Sequence, residues 1–389
     1  MRTPMSHRAR QVRTLTAITL VLPIALTLAA CSSSDSPGAS GDVITIALEA
    51  PLTGGQASNG QDILRGAQLA VDEANAAGGV LGKQIVLIQA DDKADAATGL
   101  TAAQGVVDGP AVAVIGPYNS SVGLKNLPVY ISGQVVPVHM TSSDDTTGEG
   151  VTVQPKNSQI SPVEVAYIEG LKATKVAMLV DPSTYTQGMA DRLSKSLTRD
   201  GLTVTSAPIT EGKKDYIAEV TAALAGDPDV VYVSTYFPEG ALIAKALADA
   251  RAKGSTAKCF MGLGNQDPAF IDGAGIPDSQ GCVFSGVPTP DEFPTAAAYI
   301  TAYTAKYSLP PGVWGVFAYD SVLVLLNAMK AANSTEYQPV LDALLHKTVD
   351  FPGATGPVTI DPATGNRPNV PVKILSVKTV TSGVFTVTQ

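Results

Sequence analysis

The chain has 389 residues, of which 45% are hydrophobic and 16% charged, and its formal net charge is −9. Removing residues 1–30 takes away four Arg and no acid, so that Lys plus Arg falls from 26 to 22 against 35 Asp plus Glu, a net charge near −13. This excess of acid argues against nucleic acid or an anionic membrane surface as a partner. Beyond residue 30 no apolar run reaches the roughly 18 residues of a membrane span, and the length suits two lobes better than one core.

The N-terminal segment 1–30 has the features of a secretory signal. Four Arg occur within positions 1–13, followed by a mostly apolar stretch at 14–30, and then Cys31. The apolar stretch is short for a membrane span, and Pro23 interrupts it. We therefore predict a signal peptide over residues 1–30 and an exported, extracytoplasmic mature protein.

A lipid anchor is predicted at Cys31. The three residues before it, Leu28, Ala29 and Ala30, resemble the lipobox of bacterial lipoproteins, in which the cysteine becomes lipidated. The alternative is an ordinary signal peptide that happens to contain a cysteine. The segment that follows Cys31 (SSSDSPGASGD) is rich in Ser and Gly and is expected to be flexible. Residues 31–42 are thus predicted to be a lipidated cysteine and tether, and the only contact with the membrane.

From residue 43 onwards short apolar runs alternate with amphipathic stretches. The first four predicted strands are VITIAL (43–48), QIVLI (84–88), AVAVIG (111–116) and VVPVH (135–139). Helical patterns lie between them, at residues 60–77, 95–107 and 120–132. This βαβ order predicts a parallel, doubly wound sheet.

The same rhythm then restarts. Ser161, Pro162 and Glu164 form the pattern of a capping box that opens a helix, and Asp215 is the predicted cap of a later one. The predicted strands of this half are KVAMLV (175–180), LTVTS (202–206), VVYVS (230–234), CFMG (259–262), CVFSGV (282–287), VKILSVKT (372–379) and VFTVT (384–388). A helical region at residues 294–346 precedes the last two strands. Two successive α/β lobes are therefore predicted.

Two cysteines remain after Cys31. Cys259 and Cys282 are an even pair in an exported chain, and they open two successive predicted strands, which are often neighbours in a sheet. A disulfide between them is therefore predicted. No CxxC and no cluster of histidines accompanies them, so no metal site is indicated and no cofactor is expected.

The motifs of common enzyme classes are missing from the sequence. It has no GxGxxG after a strand, no GxxxxGK[ST], no HExxH and no GxSxG. Beyond residue 30 the histidines are His139, at the end of a predicted strand, and His346, in a surface-like helix. A structural role is the simpler interpretation of His139, and nothing marks a serine as an activated nucleophile. The protein is therefore not expected to be an enzyme.

Polar and aromatic residues follow the predicted strands, where open α/β sheets bind their ligands. Ser120 follows the third strand, and the hydroxyl-rich turn 140–145 follows the fourth. Tyr185 and Tyr236 occupy equivalent places in the second half. Ser120 is either a simple helix N-cap or a donor to a ligand carboxylate at the helix start. The two tyrosines are either loop packing or the opposite wall of a cleft.

Eight segments of the chain carry a recognisable pattern when they are taken together. They are APLTGGQASNGQDILRGAQLAVDEANAAGGVLGKQI (50–85), QADDKAD (89–95), VIGPYNSS (114–121), DPSTYTQGMA (181–190), ITEGKKDYIAEVTAAL (209–224), VYVSTYFPEG (231–240), FMGLGNQDPAF (260–270) and GATGPVTIDPATGNR (353–367). In this order they resemble the leucine/isoleucine/valine-binding protein family, the amino-acid branch of the type I periplasmic binding proteins.

The resemblance implies an α/β fold of two doubly wound parallel-sheet lobes joined by three crossing segments. The crossings are expected near residues 156–158, 287–288 and 360–369. The implied lobes are 43–156 plus 288–360, and 157–287 plus 361–389. It also implies closure of the lobes around a ligand, which is then delivered to an ABC permease.

The resemblance also implies roles for single residues. Ser120 matches the serine that receives the ligand carboxylate, and Thr141 and Ser143 match the positions that hold the ligand's polar end. Tyr185 and Tyr236 match the aromatic residues that close over the ligand from the second lobe.

Two positions depart from the family pattern. Asn59 stands where relatives place a large aromatic side chain. Gly264, which precedes the further candidate Asn265, stands where amino-acid binders often have a Glu for the ligand's ammonium group. An ammonium group buried without a counter-charge is costly. The acids that could replace the missing Glu are Asp267, Glu239, Asp144 and Asp145.

The sequence therefore predicts an extracytoplasmic solute-binding lipoprotein of an ABC importer. A branched-chain or other aliphatic amino acid is the first expected ligand, and urea, short amides or aromatic carboxylates are the alternative because they need no ammonium partner. A receptor that reports its ligand to a membrane signalling protein is the alternative of another class.

Overall fold

The computed structural model describes residues 43–378 and 384–388. The predicted signal peptide, the lipidation site Cys31 and the tether lie outside the described residues. Within the described part, the strands form two larger sheets and one short hairpin.

The first sheet is built from the first third of the chain. Its strands are β1 (Ile44–Ala50), β2 (Ile85–Asp91), β3 (Ala111–Ile115) and β4 (Val136–Val138), and its connecting helices are α1 (Ala57–Ala76), α2 (Ala96–Val107) and α3 (Ser120–Ser132). All strand pairs are parallel, in the order β2-β1-β3-β4. Asp95 starts α2 by accepting a hydrogen bond from the backbone N–H of Thr98. The predicted strands and helices of this region are confirmed, with ends shifted by a few residues.

The next region supplies the parallel part of the second sheet. Its strands are β5 (Lys175–Val180), β6 (Thr203–Pro208), β7 (Val230–Ser234), β8 (Lys258–Met261) and β9 (Cys282–Gly286). Its helices are α4 (Asn157–Gly170), α5 (Thr184–Arg199), α6 (Ile217–Leu224), α7 (Phe237–Ala252), α8 (Pro268–Ala274) and α9 (Ile276–Gln280). All five predicted strands of this region are confirmed.

Two predicted helix starts are wrong. The helix α4 begins at Asn157, ahead of the expected capping box, and Pro162 lies inside it. The side chain of Gln159 satisfies the first turn by accepting a hydrogen bond from the backbone N–H of Lys156. The cap residue of α6 is Tyr216, and Asp215 instead accepts from the N–H of Ile217 at 3.3 Å. Local propensity identified both helices but did not fix their first residues.

The chain then returns to the first sheet. This region comprises α10 (Ala297–Tyr307), α11 (Gly315–Ala332), α12 (Tyr337–Lys347) and a hairpin of β10 (Phe351–Gly353) and β11 (Gly356–Val358). Phe317 and Val322 of α11 belong to the same buried core as Ile46 and Leu48 of β1. Among the described residues α11 is the one helix long and apolar enough to cross a membrane, but most of it is buried inside the fold.

The last two strands, β12 (Lys373–Lys378) and β13 (Val384–Val387), complete the second sheet. The strand order of this sheet is β13-β12-β9-β8-β7-β5-β6. The strand β12 runs antiparallel to both β9 and β13, so the sheet is mixed at one edge and parallel elsewhere. The second lobe is thus the predicted doubly wound parallel sheet with an antiparallel pair of strands, β12 and β13, added at one edge.

The chain passes three times between the parts built on the two sheets, which we call the first lobe and the second lobe. It crosses between β4 and β5, between β9 and α10, and between β11 and β12. The first and third crossings lie side by side, since the N–H of Thr152 donates to the carbonyl of Gly365 and the N–H of Arg367 donates to the carbonyl of Thr152. This is the architecture of two α/β lobes joined by three segments that the sequence predicted.

The predicted disulfide between Cys259 and Cys282 is confirmed. The two residues face each other in the register of the neighbouring strands β8 and β9, with their Cα atoms 4.6 Å apart. Both lie near the starts of their strands, at the edge of the sheet opposite the carboxyl ends.

Candidate ligand-binding site

A cavity lies between the lobes, at the carboxyl ends of the strands of both sheets. Its lining residues are Tyr118, Ser120, Met140, Ser142, Gln154, Tyr185, Tyr236, Leu263, Gly264 and Trp314. About 240 Å³ of this region, counting space open to solvent, is not filled by atoms. The side chains that line it are buried, so the cavity suits a compact solute held between the lobes.

Ser120 lines the cavity and does not act as a helix cap. The cap residue of α3 is Asn119, whose side chain makes no capping hydrogen bond. The Oγ of Ser120 accepts a hydrogen bond from the backbone N–H of Ser143 at 3.1 Å. Because that bond uses only a lone pair of Oγ, the hydroxyl hydrogen of Ser120 can be donated to a ligand.

The turn after β4 presents different residues from those expected. Met140 and Ser142 line the cavity, whereas Thr141 and Ser143 are buried but do not belong to the lining. Alternate residues of an extended segment face opposite sides, so the neighbours of Met140 and Ser142 turn away from the cavity. The roles that the resemblance implied for the backbone carbonyl and hydroxyl groups of Thr141 and Ser143 remain a prediction.

Thr141 instead holds the turn in place from behind. Its Oγ1 lies 2.8 Å from Nδ1 of His139 and 2.6 Å from Oγ1 of Thr146. Its carbonyl oxygen accepts a hydrogen bond from Nζ of Lys156 at 3.4 Å. His139 is thus a buried structural residue. Burial, and then the charge of Lys156, keep the pKa of His139 well below its usual value, so its ring is neutral.

Four of the ten residues that line the cavity are aromatic. The ring centroids of Tyr185 and Tyr236 are 5.8 Å apart, and those of Tyr118 and Tyr236 are 6.4 Å apart across the gap between the lobes. Trp314 packs on Tyr118 at 5.6 Å. Sequence reasoning identified Tyr185 and Tyr236 but missed the other two. Tyr118 stands in the loop that also carries Ser120, and Trp314, the single tryptophan of the chain, lies in a turn just before α11.

The two asparagines in the predicted site support the lining without belonging to it. Nδ2 of Asn59 donates to the hydroxyl of Tyr118 at 3.4 Å, so Asn59 helps to fix that ring. Nδ2 of Asn265 donates to the carbonyl oxygens of Thr235 and Gly262, each at 3.1 Å. Asn265 therefore shapes the loop that presents Gly264.

There is no room for a side chain at Gly264. A Cβ atom at this position would lie 2.7 Å from the carbonyl oxygen of Thr235 and 3.2 Å from Cε1 of Tyr185. The first distance is shorter than real Cβ contacts, so the backbone would have to shift. The ring of Tyr185 thus lies close to the position that the Cβ atom of the family Glu would occupy.

The acids proposed as replacements for that Glu have other partners. Asp267 caps α8, accepting hydrogen bonds from the N–H of Ala269 at 2.7 Å and from Oγ of Ser58 at 2.8 Å. Burial raises the pKa of Asp267 to about 6. Glu239 accepts from the N–H of Gly212 at 3.1 Å and lines a neighbouring cavity that shares Tyr236 with the first one.

The remaining two acids belong to the turn after β4. Asp144 forms a 2.5 Å ion pair with Arg192, and Asp145 bonds to Ser143. Among the residues that the structure describes, no carboxylate lines this first cavity, whereas Asp95, Glu211 and Glu239 line the neighbouring one.

Buried charges of both signs lie near the cavity: the backbone N–H of Tyr236 donates to the buried Asp181, and Lys156 is buried behind the turn after β4. Lys156 is 1% exposed, and its Nζ donates to Oγ1 of Thr146 at 2.7 Å as well as to the carbonyl of Thr141. Burial lowers the pKa of Lys156 to about 8, opposed by the charges of Asp144 and Asp145. Lys156 thus places an ammonium group behind the wall of the cavity at neutral pH.

Three of the contacts that join the lobes around the cavity are made by Thr184, Asp267 and Arg192. The N–H of Thr184 donates to Oγ of Ser121 at 2.9 Å, on the side of α3 and α5. The other two are the contacts described above, Ser58 with Asp267 and Arg192 with Asp144.

The sequence model of the family described as periplasmic binding protein matches residues 43–383. The chain belongs to this family. The Leu/Ile/Val-binding protein BraC3 of Rhizobium johnstonii is 33% identical over 353 residues, which cover 89% of this chain and 93% of that protein. Membership makes the chain an exported, extracytoplasmic solute-binding protein of the type that serves branched-chain amino-acid ABC transporters.

Two solved structures of the family resemble the present fold. The leucine-binding protein LivK of Thermotoga maritima has a TM-score of 0.79 at 25% identity, covering 88% of this chain and 98% of that one. The branched-chain amino-acid binding protein LivJ of Streptococcus pneumoniae, in complex with isoleucine, has a TM-score of 0.77 at 26% identity, covering 89% of this chain and all of that one. These relatives are solute-binding proteins and not enzymes.

Proposed function

We propose that this protein is the lipid-anchored receptor of an ABC importer, in which one compact solute is held between the two lobes. The observation that carries this proposal is the buried cavity lined by both lobes, with the Ser120 hydroxyl on one side and the Tyr185 and Tyr236 rings on the other. The proposed lobes are residues 43–156 plus 288–360, and 157–287 plus 361–389. They part to admit the solute and close to bury it, because a buried site offers no other route.

The anchor is proposed at Cys31, on the basis of the Leu28–Ala29–Ala30 sequence before it. Cys31→Ser is expected to release the protein from the membrane fraction or to block its processing. Membrane association and processing identical to the wild type would contradict the anchor and leave the solute-binding function standing.

The ligand is proposed to be a compact solute with a carboxylate or another acceptor for Ser120, and with no ammonium group. Within the described part of the chain the lining offers hydroxyls and aromatic rings but no carboxylate, and Gly264 leaves no space for one. Burying an ammonium group without a counter-charge in direct contact is costly. Hydroxy acids, aromatic carboxylates, short amides and urea fit these conditions.

An aliphatic amino acid is the second candidate. It is favoured by the 33% sequence identity to a Leu/Ile/Val-binding protein, in an alignment that covers 89% of this chain. If an amino acid binds, its ammonium group must be stabilised by the faces of the tyrosine rings and by backbone carbonyls, because the family Glu is replaced by Gly264.

Native mass spectrometry of the purified protein would identify a solute that co-purifies with it. A thermal-shift screen of the twenty amino acids, urea, short amides, hydroxy acids and benzoate-like acids complements that measurement. Stabilisation by a member of the ammonium-free group is the expected result. Stabilisation by leucine, isoleucine or valine alone would favour the second candidate, and no binding of any small solute would contradict the receptor function.

The proposed role in import and the alternative role as a signalling receptor differ in what is lost when the gene is deleted. Deleting the gene is expected to abolish uptake of the identified solute and not merely a transcriptional response to it. An intact uptake rate in the deletion strain, with a lost response, would favour the signalling receptor.

A further inference from the structure

The first crossing segment forms a third wall of the cavity, besides the walls that the strand ends of the two lobes provide. Its cavity-lining residue is Gln154, which is 1% exposed. The Nε2 atom of Gln154 donates to Oγ of Ser142 at 3.3 Å. Its Oε1 atom is buried and has no hydrogen-bond partner among the described residues. The side chain therefore presents an unused acceptor in a buried site.

A buried amide oxygen without a donor is unfavourable, and proteins nearly always supply one. No neighbouring donor in the described part of the chain bonds to Oε1. Ser142 is engaged with Nε2 of Gln154, and Nζ of Lys156 donates to Thr141 and Thr146. A donor from the bound solute would complete the hydrogen bonding of Oε1.

The position of Gln154 is fixed relative to both lobes. The next residues of the crossing segment include Asn157, whose backbone N–H donates to the carbonyl of Ser142 at 2.7 Å. The side-chain Nδ2 of Asn157 donates to the carbonyl of Tyr185 at 3.1 Å. The segment is thus bound to one lining residue of the first lobe and one of the second. It holds Gln154 in the cavity when the lobes are together.

We propose that Gln154 determines specificity by accepting a hydrogen bond from a neutral N–H or O–H group of the solute. This inference rests on the proposed solute-binding function and names the chemical class of the ligand, a 2-hydroxy carboxylate or a carboxamide. A glutamine oxygen carries only a partial negative charge, so it satisfies a neutral donor but does not neutralise an ammonium group. Gln154 thus replaces, with a neutral acceptor from a crossing segment, the acid that position 264 cannot hold.

The isosteric change Gln154→Glu tests the inference because it adds a charge and little else. The probes are L-leucine and 2-hydroxy-4-methylpentanoate, which share a skeleton and differ at the 2-amino or 2-hydroxy group, together with isovaleramide and urea. Isothermal titration measures each dissociation constant for the wild type, Gln154→Glu and Gln154→Met. Gln338→Glu, on the exposed side of α12, is the matched control for the added charge.

The wild type is expected to bind at least one neutral-donor probe at least tenfold more tightly than L-leucine. Gln154→Glu should weaken that probe at least tenfold and strengthen L-leucine at least tenfold. Gln154→Met should weaken the neutral probe without any gain for L-leucine, and the control should change neither. A melting temperature near that of the wild type shows that each variant is folded.

Two results would overturn the inference while the receptor function stands. One is unchanged affinity for the neutral probe in Gln154→Glu. The other is loss of all probes in Gln154→Glu without a gain for L-leucine, which would mean that the amide N–H faces the solute. Failure of the wild type to bind any of the four probes would contradict the proposed ligand class itself.

Discussion

Thr184 and Ser121 meet across the gap between the lobes. The backbone N–H of Thr184, at the start of α5, donates to Oγ of Ser121 at 2.9 Å, and the two hydroxyl oxygens are 3.2 Å apart. Ser121 directly follows Ser120, which lines the cavity. The contact between the lobes is therefore adjacent in sequence to the ligand-binding serine, so that lobe closure and binding are expected to reinforce each other.

Ser121→Ala removes this contact. A neutral hydrogen bond contributes about 1 kcal/mol, so the closed arrangement should weaken and the affinity for the ligand fall about fivefold. Isothermal titration measures the affinity, and small-angle scattering measures opening in the unliganded protein. Ser132→Ala, at the exposed end of the same helix, is the control. Equal affinity of Ser121→Ala and wild type would show that this contact has no part in closure.

Ser120→Ala tests the proposed donor to the ligand. A hydrogen bond to a charged carboxylate is worth roughly 1.5–3 kcal/mol, so a carboxylate ligand should bind one to two orders of magnitude more weakly. The melting temperature should fall modestly, because the buried N–H of Ser143 loses its acceptor while Asn119 still occupies the cap position of α3. A large loss of stability with retained affinity would mean that Ser120 serves the helix instead.

Gly264→Ala places a methyl group against the carbonyl of Thr235 and the ring of Tyr185. Overpacking of this kind costs roughly 1–3 kcal/mol, and a displaced Tyr185 should narrow the cavity and lower affinity at least tenfold. Gly170→Ala, at the end of α4 where nothing lies within 4 Å of the new methyl group, is the matched control. Titration and thermal melts compare the two variants. Normal affinity in Gly264→Ala would show that the loop can move to accommodate a side chain.

The buried charge of Lys156 predicts a pH dependence of stability. Its folded-state pKa, about 8, lies below the ordinary value of 10.5, so the unfolded chain binds its proton more tightly. The destabilisation by this group is therefore complete below pH 8 and is relieved as the pH rises towards 10.5. Over that interval the wild type should gain up to roughly 3 kcal/mol relative to Lys156→Met.

Urea denaturation of both proteins at pH 7, 8, 9 and 10 measures this difference. The difference between the two free energies of unfolding is free of contributions from groups that titrate alike in both proteins, such as the buried Glu49. A difference that stays constant from pH 7 to 10 would mean that Lys156 has an ordinary pKa.

The disulfide is expected to stabilise the second lobe without affecting binding. Cys259 and Cys282 are 23 residues apart in sequence. A loop of this size predicts a loss of roughly 2–4 kcal/mol in a Cys259→Ser, Cys282→Ser double variant. Affinity should stay within twofold of the wild type, since both cysteines lie at the strand ends away from the cavity. A large loss of affinity in a folded double variant would show that the bridge orients the loops after β8.

Much of the fold followed from the sequence. The alternation of apolar runs with helical periodicity predicted the order of strands and helices, because burial of one face imposes that pattern locally. The pairing of Cys259 with Cys282 followed from their places at the starts of successive strands. The antiparallel orientation of β12 could not be predicted, because the residues of a strand do not indicate the direction of the neighbouring strand.

The sequence by itself determined the family, the two-lobe architecture and the edge of the sheets at which the site lies. Only the tertiary structure decided which side chains face the cavity. Met140 and Ser142 line it while Thr141 turns away, since a shift of register by a single position along an extended segment exchanges its two faces. Gln154 and Trp314 join the site from segments that are distant in the sequence, because the crossings between the lobes bring them to the same cavity. The ligand class therefore depends on long-range packing that no local pattern records.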